Sequence, residues 1–190
     1  NETEQAARNN LAQDLLLLGR WQEGWGHYSQ RFSRKPGNHP LFERNFGLSH
    51  RGPLKRGQPL LVMSEQGLGD TLQFSRYILH LQEQGFDVTL LSQPALVPLL
   101  RDAVGLKQVV AQLESEEWEG RQPIWLPLLN VLPALEAHKL CAPFSNGYLQ
   151  IETELIHEWS LLLNRDPNKR LIALHWQGNP SHEHSLYSRG

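Results

Sequence analysis

The sequence predicts an α/β fold built on a parallel, doubly wound sheet, and three observations predict it. From Leu60 to Ala111, short apolar runs of strand length alternate with stretches of helical spacing, in the order strand, helix, strand, helix, strand. The connections between them are short, as right-handed crossovers between parallel strands require. The first strand, Leu60-Leu61-Val62-Met63, also feeds directly through Gly67-Leu68-Gly69 into a helix. That turn sets a helix N-terminus, with its free N–H groups, at the carboxyl end of the sheet, where open α/β sheets bind ligands.

Residues Glu2 to Arg34 come first and read as two antiparallel helices. Ala7, Leu11, Leu15 and Leu18 stripe the first, Gly19-Arg20 breaks it, and Trp21, Trp25, Tyr28 and Phe32 stripe the second. From Ser33 to Pro59 closely spaced prolines and glycines forbid long regular elements, so residues 35–59 form a connector. Leu41, Phe42, Phe46 and Leu48 are too apolar for a free linker, and the connector is expected to pack along the next domain; its Arg51, Lys55 and Arg56 either face an anionic ligand or, as is more usual, solvate the loop.

In the helix after the glycine turn, Phe74, Tyr77, Ile78 and Leu81 fall at i, i+3, i+4, i+7 and predict the face against the sheet. Gln73, Arg76 and His80 lie on the opposite side. Gly85 ends this helix, Asp87–Gln93 is the second strand, and Pro94 opens a helix lined by Leu96, Val97, Leu99 and Leu100. Gly105 stops that helix, Gln108–Ala111 is the third strand, and Ile124-Trp125-Leu126 is a fourth ending at Pro127. Leu128–Leu135 is a helix or apolar loop interrupted by Pro133, with Asn130 as a capping or ligand-facing residue. A short strand is expected at Tyr148–Ile151, a helix from Thr153 with Leu155, Ile156, Trp159, Leu162 and Leu163 on one side, and a last strand at Leu171–Trp176 running into Gln177-Gly178-Asn179-Pro180.

Composition narrows the function. A formal net charge of −2 over 190 residues gives no basic field for duplex nucleic acid or anionic membrane, and no aromatic-basic stripe suits a single strand. No apolar run approaches a membrane span, and the first residues show no basic-then-apolar signal pattern. The chain begins at Asn1, as expected of a piece of a longer protein. The one cysteine, Cys141, has no partner for an internal disulfide and fits a reducing, cytoplasmic compartment. The glycine turn is not a dinucleotide fingerprint, because Leu72 stands where a third glycine is required, and no Gly-Lys-Ser/Thr makes it a phosphate loop. No Gly-x-Ser-x-Gly elbow is present. His182-Glu183-His184 lacks helical zinc spacing, so neither a metal nor another cofactor is expected. In the residues alone, Asp70 reads equally as a helix cap and as a functional carboxylate at the mouth of the turn.

Two stretches tip that balance by resemblance. Ser64-Glu65-Gln66-Gly67-Leu68-Gly69-Asp70-Thr71-Leu72-Gln73-Phe74-Ser75-Arg76-Tyr77 resembles the first strand–turn–helix of the glycosyltransferase-like domain that follows tetratricopeptide (TPR) arrays in bacterial proteins, a group related to heptosyltransferases. Ile172-Ala173-Leu174-His175-Trp176-Gln177-Gly178-Asn179-Pro180 is similar to the opening strand of the second Rossmann-like domain of that group. Asn10-Leu11-Ala12 through Leu18-Gly19-Arg20-Trp21-Gln22-Glu23-Gly24 to Tyr28 resembles a TPR unit. The three follow one another in the family's order.

The resemblance implies a TPR-like hairpin at 1–34, the connector at 35–59, a Rossmann-like acceptor domain at 60–168, and the first strand and loop of a donor domain at 169–190, the N-terminal half of a GT-B architecture. It implies transfer of a sugar from a nucleotide-sugar donor to an acceptor hydroxyl, with Asp70 as the base. Gly67, Leu68, Gly69, Gln73, Arg76, Trp176, Gly178 and Asn179 are the expected ligand contacts. The alternative is a non-catalytic scaffold in which the helical repeats recruit a protein partner.

Overall fold

The computed structural model describes residues 2–31, 53–113, 123–136, 142–163, 166 and 168–174. The chain divides into two compact units, Asn1–Gln150 and Ile151–Gly190. The first is α/β. Its helices α1 (Glu2–Leu17) and α2 (Trp21–Tyr28) precede strands β1 (Leu60–Met63), β2 (Val88–Leu91), β3 (Val109–Val110) and β4 (Ile124–Pro127). Helix α3 (Leu68–Glu83) links β1 to β2, α4 (Val97–Asp102) links β2 to β3, and α5 (Val131–Ala134) follows β4. The four strands form one parallel sheet in the order β3-β2-β1-β4, with Leu60 opposite both Val88 and Ile124. An α/β fold with a parallel sheet of this kind is what the alternating pattern predicts.

Because side chains alternate across a strand, the apolar runs serve both faces of the sheet. Leu60, Val62, Val88, Leu90 and Leu126 join Ile78 and Leu81 of α3 and Val97 and Leu100 of α4 in the main core. Leu61, Met63, Leu113 and Trp125 form a second cluster, with Leu91 and Val110 beside it.

The sheet-facing side of α3 differs from the expected one. Its buried residues are Thr71, Ser75, Ile78 and Leu81, whereas Phe74 and Tyr77 are half-buried on the flank. The small polar positions let the first turns of the helix lie close to the strands. Their hydroxyls are satisfied locally, Ser75 Oγ donating to the Leu72 carbonyl at 2.7 Å and Thr71 Oγ1 to Gln93 Oε1 at 3.0 Å. Phe74 is thereby free to meet Trp25 of α2 edge-on, with ring centroids 6.4 Å apart.

The helical pair departs from its predicted stripes too. Ala12 and Leu15 are the buried apolar residues of α1, while Leu11, Leu18 and Trp21 are exposed, because only the side of α1 that meets α2 is covered. Gly24 makes that approach close: a Cβ there would lie 2.8 Å from Leu16 Cγ and 3.0 Å from the Leu16 backbone nitrogen. Gly24→Ala is therefore expected to cost about 1–3 kcal/mol by overpacking, measured as a loss in thermal or urea stability. No change would mean that α1 shifts freely.

Gly85 and Gly105 end their helices at φ of +80° and +76°, as read from the sequence. Tyr148–Ile151 is not a strand. It is held instead by single bonds, from Tyr148 Oη to the Leu72 carbonyl at 2.6 Å and from the Gln150 N–H to the Ala103 carbonyl at 2.7 Å. In the second unit, helix α6 (Thr153–Leu162) forms as expected. Residues 171–174 do not form a strand, since a strand exists only where a neighbour accepts its hydrogen bonds and the described part of this unit offers none; His175 and Trp176 of the expected strand lie outside the described residues. The connector residues Leu41, Phe42, Phe46 and Leu48, together with Phe32, lie outside the described residues.

Candidate functional site

In a sheet ordered β3-β2-β1-β4, the chain moves outward from β1 to β3 and then returns to the far side of β1. The strand order reverses between β1 and β4, and open α/β sheets bind ligands in the crevice outside the carboxyl ends at such a point. Two turns border it, Ser64–Gly67 after β1 and Leu128–Asn130 after β4.

The turn after β1 is not bent at its glycines. The residue with left-handed backbone is Gln66, at φ 64°. Gly67 has an ordinary extended conformation, φ −84° and ψ 173°, and Gly69 lies inside the first turn of α3, where a Cβ would meet open space. Leu68, the first residue of α3, is exposed. Asp70 is the third, and its Oδ2 accepts the Gly67 N–H at 3.0 Å, so the carboxylate closes the helix start on itself. Gln73 is exposed one turn further on. The Arg76 guanidinium lies 4.5 Å from the centroid of the Tyr148 ring, and its Nε donates to the Gln73 carbonyl at 3.1 Å. Gly67, Leu68, Gly69, Asp70, Gln73 and Arg76 thus share the N-terminal turns of one helix at the carboxyl end of β1. Trp176, Gly178 and Asn179 lie outside the described residues, as does His182-Glu183-His184.

Sequence reasoning missed the group that occupies the point of strand reversal. Arg31, just past the end of α2, reaches between the two turns. Its Nε donates to Glu65 Oε2 at 3.0 Å and its Nη2 to Glu65 Oε1, while Nη1 donates to Asn130 Oδ1 at 2.6 Å and to the Tyr28 carbonyl at 2.9 Å. Glu65 Oε1 also accepts the Leu129 N–H at 3.0 Å, and Asn130 Nδ2 donates to the Ser29 carbonyl at 3.3 Å. Both charged side chains are 7% exposed. Asn130 therefore does not cap α5 with its side chain: it ties α2 to the turn after β4. One signal was legible, a glutamate two residues past the end of a buried strand, because a charge there needs a partner. Nothing local marked Arg31 as that partner.

Tyr28 completes the contact between α2 and the turn. The Arg31 guanidinium sits 4.2 Å from its ring centroid, and Gln66 Nε2 donates to its hydroxyl at 3.2 Å. Burial raises the Tyr28 phenol above its ordinary pKa; nearby Arg31 opposes this, and the carboxylates of Glu65 and Asp70 add to it. Tyr77 is raised by burial as well. A phenol raised in the folded state stabilises the fold while neutral, fully so below the unfolded value of about 10, and that contribution is lost as pH climbs through the folded value. Stability is thus expected to fall on the alkaline side, and tyrosinate absorbance should show a late phase that Tyr28→Phe and Tyr77→Phe each diminish. A titration without that late phase would contradict the burial of Tyr28 and Tyr77.

What the arrangement offers chemically is a carboxylate, Asp70, on the positive end of a sixteen-residue helix. Among the described residues no group of three His, Cys, Asp or Glu side chains is placed to hold a metal ion, and no helix is long and apolar enough to cross a membrane.

No family model matches this chain, and no solved structure is significantly similar to it. It is similar to Protein FlbA of Caulobacter vibrioides, at 28% identity over 180 residues, covering 86% of this chain and 30% of FlbA. The chain thus spans less than a third of the length of this relative.

Proposed function

We propose that this chain is the acceptor-side part of a glycosyltransferase-like protein, which moves a sugar from a nucleotide-sugar donor to an acceptor hydroxyl. The observation that supports this reading best is the position of Asp70, on the first turn of α3 at the carboxyl end of β1 in a parallel sheet. Asp70 takes the proton of the acceptor hydroxyl as that oxygen bonds to the anomeric carbon. The bond from carbon to the donor diphosphate breaks, and its electron pair leaves with the diphosphate. Leu68 and Gly69 offer backbone N–H groups with positive partial charge, Gly67 holds Asp70 through its own N–H, and Gln73 and Arg76 line the approach. Residues 1–34 are a TPR-like hairpin in this reading, and Trp176, Gly178 and Asn179 belong to the start of the donor domain.

One observation favours the scaffold reading instead. The crevice between β1 and β4 is occupied by Arg31, Glu65 and Asn130, a buried set whose hydrogen bonds are made within the protein. The two readings part on one experiment: the full-length protein incubated with nucleotide sugars and hydroxyl acceptors, read as release of nucleoside diphosphate. Acceptor-dependent release supports transfer, and none across the common donors supports the scaffold. The 190-residue chain, holding little of the expected donor domain, should show no tight nucleotide-sugar binding by calorimetry.

A further inference from the structure

The turn that carries Asp70 is held from outside the α/β core. Glu65 is gripped by the forked guanidinium of Arg31, and the neighbouring Gln66 donates to Tyr28 Oη at 3.2 Å, so two consecutive turn residues are fastened to the last turn of α2 and the residues after it. Gln66 needs such support. Its φ of 64° lies in the left-handed region, where a residue with a Cβ persists only if its surroundings hold it. On the other side Gln93 Nε2 meets the Gln66 carbonyl at 3.5 Å, the outer limit of a hydrogen bond. The next N–H, that of Gly67, is the one that Asp70 accepts. An unbroken series of contacts therefore runs from Arg31 and Tyr28 through Glu65 and Gln66 to the Asp70 carboxylate.

We propose that Arg31 and Tyr28 are positioning residues for the Asp70 turn: the helical pair is a wall of the site and sets the conformation of the β1–α3 turn. As a role in positioning a base this rests on the reading of Asp70 given above, but the coupling itself is testable without any substrate. If it is right, a partner that pulls on α2 also moves Asp70, which gives the helices a means of regulating the turn.

The test is amide hydrogen exchange on the 190-residue chain, residue by residue, in Arg31→Lys and Tyr28→Phe. Lysine keeps the charge but loses the fork and the reach to Asn130 and the Tyr28 carbonyl. Phenylalanine keeps the ring beneath the guanidinium and removes only the hydroxyl that Gln66 bonds. The reporters are the Gly67 N–H, bonded to Asp70, and the Thr71 N–H, bonded to the Gly67 carbonyl at 3.2 Å. The reference is the Leu90 N–H in β2, bonded to the Gln108 carbonyl at 2.9 Å.

In Arg31→Lys, exchange at Gly67 and Thr71 should quicken about tenfold or more while Leu90 stays within about twofold, the pattern of a local opening. Tyr28→Phe should do the same by a smaller factor. Equal acceleration at all three amides would make the contact a plain stability anchor and overturn the proposal, and so would unchanged exchange at Gly67 and Thr71. Should Arg31→Lys not fold, Tyr28→Phe decides alone by the same criterion. An absence of sugar transfer would leave this coupling standing, so the two ideas fail separately.

Discussion

Arg31→Ala should lower the stability of this chain by about 3–5 kcal/mol, the range for breaking a buried ion pair by removing one partner. The truncation takes the fork from Glu65, a donor from Asn130 and the stacked cation from Tyr28 in a single step. Glu65 is then left as a buried carboxylate whose remaining protein donor is the Leu129 N–H. Against a typical total of about 5–15 kcal/mol, such a loss is severe and should be plain in urea or thermal unfolding. The double variant Arg31→Met/Glu65→Leu tests the reason. It removes both charges and fills the space with apolar atoms, so the remaining cost is that of the groups that lose a partner, the Leu129 N–H, Asn130 Oδ1 and the Tyr28 carbonyl, about 1–3 kcal/mol for each that stays buried and unsatisfied. The double variant should therefore be more stable than Arg31→Ala. If the single variant loses under about 1 kcal/mol, in the range of exposed pairs, water reaches the site and the pair does not anchor the helices.

On the proposed reading, Asp70→Asn in the full-length protein should cut sugar transfer by about 10²–10⁴, as expected when a general base is lost, with little loss of stability. The stability side follows from the geometry. An asparagine oxygen can still accept the Gly67 N–H that Asp70 Oδ2 now accepts at 3.0 Å, so the helix start stays closed. What disappears is the negative charge on the first turn of α3, worth about 0.3–1 kcal/mol against the helix dipole. Asp70→Ala, by contrast, also removes the cap and should cost about 0.5–2 kcal/mol. Cap and base are thereby separated: a purely structural Asp70 would make the alanine variant the worse in stability and leave transfer unchanged in the asparagine variant. Equal turnover in wild type and Asp70→Asn would remove Asp70 from the mechanism.

The elements that the pattern of residues predicts well are those whose cause is local. Four consecutive apolar residues at 60–63 form β1, Ile124–Pro127 forms β4, and the glycines at 85 and 105 end helices through a backbone conformation that other residues adopt only with strain. Asp70 was legible for the same reason, since a helix start and its cap are three residues apart. Local pattern misled where two neighbours competed for one surface. Phe74 and Tyr77 carry the helical period as well as Ile78 does, yet the strands lie close enough to favour Thr71 and Ser75, and Phe74 turns to Trp25 instead, with Tyr77 stacked on it. The strand at Tyr148–Ile151 failed because extended propensity cannot supply a neighbouring strand.

The occupied crevice lay beyond any local pattern. Arg31 meets Glu65 across 34 residues of sequence and Asn130 across 99, and neither distance leaves a period or a motif. Those contacts depend on β4 returning to the far side of β1, which brings its following turn beside the turn after β1 and leaves room for one guanidinium between them. Periodicity and turn chemistry act over a few residues and are written along the chain. Strand order and the pairing of buried charges arise from packing the whole sheet, so the carboxylate of the proposed site could be read in advance, and the arginine that holds its turn in place could not.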